Sequence, residues 1–196
     1  SHAIAAGRAE AAAALGLSDA ALGYADTALS HGNEHDIVRA ATVSASVLTR
    51  AGLADRAADL YQWLGPQRAG WSAPLASVTL LSVGRPDAAA QFLAADAGSV
   101  PTSLDTGRTL MAHAVAASLS PGRAESAGAL ADLVRSSTLV RGGISALWPA
   151  SPAALGALLA LHTGEPATAE SLLVREGGGP GAARHLGLLG WAAMQR

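Results

Sequence analysis

All-α, assembled from helix-turn-helix repeats, is the fold class this sequence predicts, and three observations predict it. Alanine and leucine, both strong helix formers, dominate the chain, while runs of β-branched residues are scarce. One stop signal recurs as LGLSD, AGLAD, SVGRPD and HTGEP: a glycine, a few polar or proline residues, then an alanine-rich segment. A small residue also returns at a set distance after that glycine, with Ala21 after Gly16, Ala57 after Gly52, Ala89 after Gly84 and Ala169 after Gly164.

The breaks place helices at 3–15, 19–31, 35–51, 54–64, 71–83, 86–96, 103–118, 122–137, 152–163, 166–175 and 181–195. Glycine supplies the left-handed helix stop, and Pro, Ser or Asp opens the next helix. A weaker copy puts Ala124 three residues after Pro121, as Ala89 follows Pro86 and Ala169 follows Pro166. The five alanines lie 36, 32, 35 and 45 residues apart. A helix-turn-helix period of about 34 residues is that of tetratricopeptide repeats. The fold is therefore expected to be a tetratricopeptide-like array stacked as a superhelix, with the alanines at the helix crossings and Tyr61, Leu93 and Leu173 filling the space between pairs. The large aromatics of the full tetratricopeptide signature are mostly replaced by Ala, Leu or Val, so a plain bundle of alanine-rich helices is the alternative.

The interval of 45 exceeds the others by roughly ten residues, and the excess falls on TLVRGGISALWPA. Insertions in repeat arrays map to loops on one face, often the binding face. The segment is expected to be a loop, because Gly142-Gly143 permits reversal and Pro149 biases Trp148 away from helical geometry. The alternative is a linker whose Trp148 plugs a neighbouring helix pair.

Composition excludes several functions. With 196 residues and 50% hydrophobic content, the chain can bury a core as one domain or one array. Charged residues make up 14%, the formal net charge is -2, and all 13 basic residues are arginines. That is not the footprint of a nucleic-acid binder. Without lysine there is no GxxxxGK phosphate loop. Without cysteine there is no disulfide, thiol nucleophile or Cys-type zinc site, which fits a cytoplasmic setting. No apolar run reaches the ~18 residues of a membrane span. The opening Ser1-His2 reads as a cloning remnant, so residues 1–196 are expected to be one helical-repeat domain, a fragment of a longer protein.

LHTGEPATAESLLVRE and LGLSDAALGYADTALSHG resemble the helical sensor arrays of actinobacterial LuxR-type large transcriptional regulators. The resemblance covers most of the chain. It implies a sensor domain that receives a small effector or a partner protein and signals to ATPase and DNA-binding modules, neither of which lies in these residues. Maltose-type regulators of that build take a sugar, and mycobacterial ones answer to trehalose.

No enzymatic constellation emerges. In HGNEH, Gly32-Asn33 breaks the helix that a metal site on His31, Glu34 and His35 would need, so a polar turn is expected. GGGPGA follows a helix rather than a strand and reads as a connector. The carboxylates are scattered and no GxSxG occurs, so no catalytic residue, metal or cofactor is assigned. If the first helix of each pair lines a concave face, the turn register projects Arg39, Thr42, Ser46, Trp71, Thr109 and His113 inward, with Asp105 and Arg108 at the entrance and Trp148 joining them from the loop. Each has a plainer reading: solvated charge for the arginines, relief of crowding for Thr42 and Ser46, a core position for His113. Trp63 and Trp191 read as core filler. Indole faces and hydroxyl partners favour a carbohydrate effector. A protein-interaction scaffold without a small ligand is the rival, and self-association stays open.

Overall fold

The structure is a computed structural model that describes residues 2–95, 102–119, 123–139, 147, 151–176 and 182–195. All of its regular elements are helical among the described residues. In order they are α1 (His2–Ala14), α2 (Ser18–His31), α3 (Glu34–Arg50), α4 (Ala54–Leu64), α5 (Pro66–Ala69), the 3₁₀ turn η1 (Gly70–Ser72), α6 (Ala73–Ser82), α7 (Pro86–Ala95), α8 (Ser103–Ser118), α9 (Arg123–Leu139), α10 (Pro152–His162), α11 (Pro166–Glu176) and α12 (Ala182–Met194). The expected helices are present within a residue or two at most ends. Between 64 and 73 the sequence reading missed α5, which starts on Pro66 after Gly65 reverses the chain at φ +79°, and the first turn of the helix expected at 71–83 is η1.

The recurring stop signal has one atomic form. Gly16, Gly52, Gly84 and Gly164 take φ of +76°, +80°, +73° and +81°. Each glycine N–H donates three residues back, to Ala13, Thr49, Leu81 and Leu161. The next residue donates five back: Leu17 to Ala12, Leu53 to Leu48, Arg85 to Leu80 and Glu165 to Ala160, at 2.7 to 2.9 Å. This is the Schellman stop, which satisfies carbonyls that a helix end would otherwise orphan. The residue after the glycine then turns acceptor. Its carbonyl receives the N–H of Ala21, Ala57, Ala89 or Ala169, and so starts the following helix. These four alanines are fully buried, as the register requires. The fifth, Ala124, lies in α9, but its side chain is outside the description.

The chain divides into two compact units, one holding α1–α7 with Leu147, the other α8–α12. In the first, Ala6, Ala9, Ala13, Ala21, Ala25 and Ala28 interlock α1 with α2, and Val43 and Val47 of α3 close the cluster. Methyl side chains let the helices approach closely, and this cluster is built almost wholly of alanine. Leu147 packs on its edge. The α6–α7 crossing is tight enough for the Ser77 hydroxyl to reach the Ala89 carbonyl at 3.1 Å. Tyr61 and Leu173 are buried as expected; Phe92 takes the buried place beside Leu93, which is only half-buried. In the second unit, the Ser136 hydroxyl donates to the Gly107 carbonyl at 2.7 Å between α9 and α8. Gly156 of α10 sits where a Cβ would come within 3.1 Å of Leu172 Cδ1 and 3.4 Å of Leu133 Cβ. Its missing side chain is what lets α9, α10 and α11 meet there.

Candidate binding site

The candidates fall into two groups, one on each unit, and Trp148 with most of its expected loop lies outside the described residues. Arg39, Thr42 and Ser46 share one face of α3. Arg39 grips Glu10 of α1 with both ends of its guanidinium, Nε to Oε1 at 2.8 Å and Nη2 to Oε2 at 2.6 Å. The two hydrogen bonds, seconded by the opposite charge, hold the guanidinium above its ordinary pKa, while partial burial works against them. Thr42 is fully buried and its hydroxyl donates to the Val38 carbonyl at 2.8 Å. Ser46 is buried as well. This face of α3 is therefore turned inward, with Arg39 fastened to α1. Arg50 adds a second clamp, directing Nη1 and Nη2 at the Ala13 carbonyl, 3.4 Å from each. Trp71 is half-buried in η1.

On α8 the group begins at the N-cap. The Thr102 side chain accepts the Asp105 N–H at 3.1 Å, and its hydroxyl donates to Asp105 Oδ2 at 2.6 Å. The Thr102 side chain thus caps the helix, and Asp105 at the third helical position accepts the Thr102 hydroxyl rather than the backbone N–H that a capping box would engage. Arg108, almost buried, donates from Nη1 to Asp105 Oδ1 at 3.2 Å. Thr109 is half-buried, and His113 is exposed. The core position considered for His113 is therefore not what the structure shows. Asp105, Thr109 and His113 follow at i, i+4 and i+8, a polar stripe about 12 Å long at 1.5 Å per residue.

Two tryptophans complete the inventory. Trp63, read from sequence as core filler, is 57% exposed, and Arg68 Cζ lies 5.6 Å above its ring. Its position on α4 faces outward because Tyr61 and Leu64 occupy the buried face. Trp191 is partly buried against the second unit's core and meets His162 edge-on at 5.3 Å. A shallow cavity of about 320 Å³ in the same unit is lined by Val134 of α9 and by Ala167, Thr168, Ser171 and Leu172 of α11. None of the eight candidates among the described residues lines it. The sequence held no signal for it, since its two hydroxyls lie in an ordinary amphipathic helix.

At HGNEH, α2 stops at His31 and α3 restarts at Glu34, with the Asn33 side chain accepting the Asp36 N–H at 3.0 Å. That is the polar turn expected. No cluster of three metal-ligating side chains occurs among the described residues, nor any helix long and apolar enough to cross a membrane. Compared with known protein families, curated proteins and solved structures, the chain matches none.

Proposed function

We propose that this chain is a tetratricopeptide-like repeat array that binds rather than transforms, serving as the effector-sensing part of a LuxR-type transcriptional regulator. The observation that carries the repeat reading is the turn itself. Four helix pairs share the same glycine conformation, the same two stop bonds and the same restart on a buried alanine. Arrays of this kind present extended concave surfaces for binding. The effector is a small polar molecule, a disaccharide of the trehalose or maltose type in our reading, taken at the α8 stripe. There Asp105 and Arg108 are pre-positioned by the cap, and His113 is exposed to receive a hydroxyl. The test is thermal melting with each disaccharide. At 100 times the dissociation constant a ligand adds about 2.7 kcal/mol. The shift is expected with the native chain and absent in His113→Ala; no shift with any disaccharide would refute the carbohydrate reading.

A protein-interaction scaffold is the second reading, favoured by the exposed Trp63 under Arg68. Tryptophan and arginine are the side chains most enriched at interface hot spots. In that case Trp63→Ala abolishes partner binding and leaves the melting temperature unchanged.

A further inference from the structure

We infer that the cavity between α9 and α11 is a further binding site, one that takes a small uncharged molecule with an apolar body and a single hydroxyl group. The inference rests on this cavity alone and not on the carbohydrate reading of α8. Among the described residues α9 and α11 both pack on α10 but scarcely on one another, and a trough of about 320 Å³ is left between them. Pockets that hold small ligands begin at about 300 Å³. The trough cannot close by letting its floor sink. Leu172 is buried, and its Cδ1 already rests against the bare backbone of Gly156, 3.1 Å from the point a Cβ there would take.

The lining decides what fits. Val134, Ala167 and Leu172 give the trough apolar walls, and Thr168 and Ser171 give it two hydroxyls. Spaced at i and i+3 on α11, these two lie on one face of the helix. Their hydrogen bonding is complementary. Thr168 donates its proton to Glu165 Oε2 at 3.2 Å, which leaves its oxygen as an acceptor. Ser171 makes no hydrogen bond among the described residues, whereas Ser137 and Thr163 return theirs to the carbonyls of Val134 and Leu159. A guest hydroxyl can therefore donate to Thr168 and accept from Ser171, whereas a ketone or an ether can only accept. No charged side chain lines the trough, and the Glu165 carboxylate beside Thr168 repels an anion. Glu165 is exposed, so an ammonium gains little from it. With no aromatic ring and no further polar side chain on its walls, the trough has no partners for the many hydroxyls of a sugar.

Amide chemical-shift perturbation in the isotope-labelled chain tests this with three probes of one length: n-hexanol, hexanoate and hexylammonium. The alcohol is expected to shift the amides of Val134, Thr168, Ser171 and Leu172 saturably, and both ions to bind more weakly. Ser171→Ala should raise the dissociation constant of n-hexanol about three- to tenfold, the loss of one hydrogen bond. Ala167→Trp, which fills the trough from its rim, should abolish the shifts. Ala167 and Ser171 are both exposed, so circular-dichroism melting should not change in either variant. Amides that do not respond saturably, an affinity unchanged by Ser171→Ala, shifts that survive Ala167→Trp, or an ion that binds as tightly as the alcohol would overturn the inference.

Discussion

Replacing glycine by alanine should change sign along this chain according to backbone conformation and the space a Cβ would find. At Gly16, Gly52, Gly84 and Gly164 an added Cβ meets nothing within 4 Å, so space is not the obstacle. The obstacle is φ near +80°, where an L-residue pays roughly 1–2 kcal/mol. Alanine recovers part of this by restricting the unfolded chain, worth about 0.4–1 kcal/mol. The net expectation is a loss of about 0.5–1.5 kcal/mol at each of the four turns. Gly23 and Gly128 also have open space around them, but they are exposed within α2 and α9 at negative φ. There alanine gains helix propensity, and stability should rise by about 0.5–1 kcal/mol. Gly156→Ala forms a third class, since its Cβ would press on Leu172 and Leu133, so it should destabilise through packing rather than φ. Urea unfolding of the seven single variants measures the set. Gains at the turn glycines, or losses at Gly23 and Gly128, would show that the left-handed stops do not define the repeat.

Two further outcomes follow from the helix contacts. Glu10→Gln should cost about 1–2 kcal/mol in urea unfolding, and Arg39→Lys should not preserve the native value, because an ammonium cannot hold both carboxylate oxygens. Ala89→Leu should cost about 1–3 kcal/mol, because the Ser77 hydroxyl already spans the α6–α7 crossing to the Ala89 carbonyl; a silent substitution would place the crossing elsewhere.

The helices and their stops were legible because each rests on local chemistry. Gly52 followed by Leu53-Ala54-Asp55 states a left-handed stop and a restart without reference to any distant residue, and the stop bonds of Gly52 and Leu53 have the form expected. The short α5 was not legible. Four residues give no periodicity, and its cue, Gly65-Pro66, reads equally as a plain turn. Trp63 was misread for a related reason. LYQWL is apolar enough to suggest a filled core, but buried Tyr61 and Leu64 fix the inward face of α4 and leave Trp63 outside it.

The candidate site was harder to read because a polar side chain in an alanine-rich helix has two possible employers. Arg39 could face a ligand or a neighbouring helix, and nothing near residue 39 distinguishes them; the deciding group, Glu10, lies 29 residues away. A buried hydroxyl is ambiguous in the same way, because the carbonyl four residues back is always within its reach, and Thr42 takes that of Val38. Within α8 the sequence does carry the distinction, since Thr102 and Asp105 three residues apart form a cap that predicts where Asp105 points. Side chains oriented by their own helix can thus be placed from sequence, whereas those oriented by another helix need the packing first. His113 belongs to neither class. It is exposed two turns beyond the cap, which makes it the position in the group where substitution tests binding with the least effect on the fold.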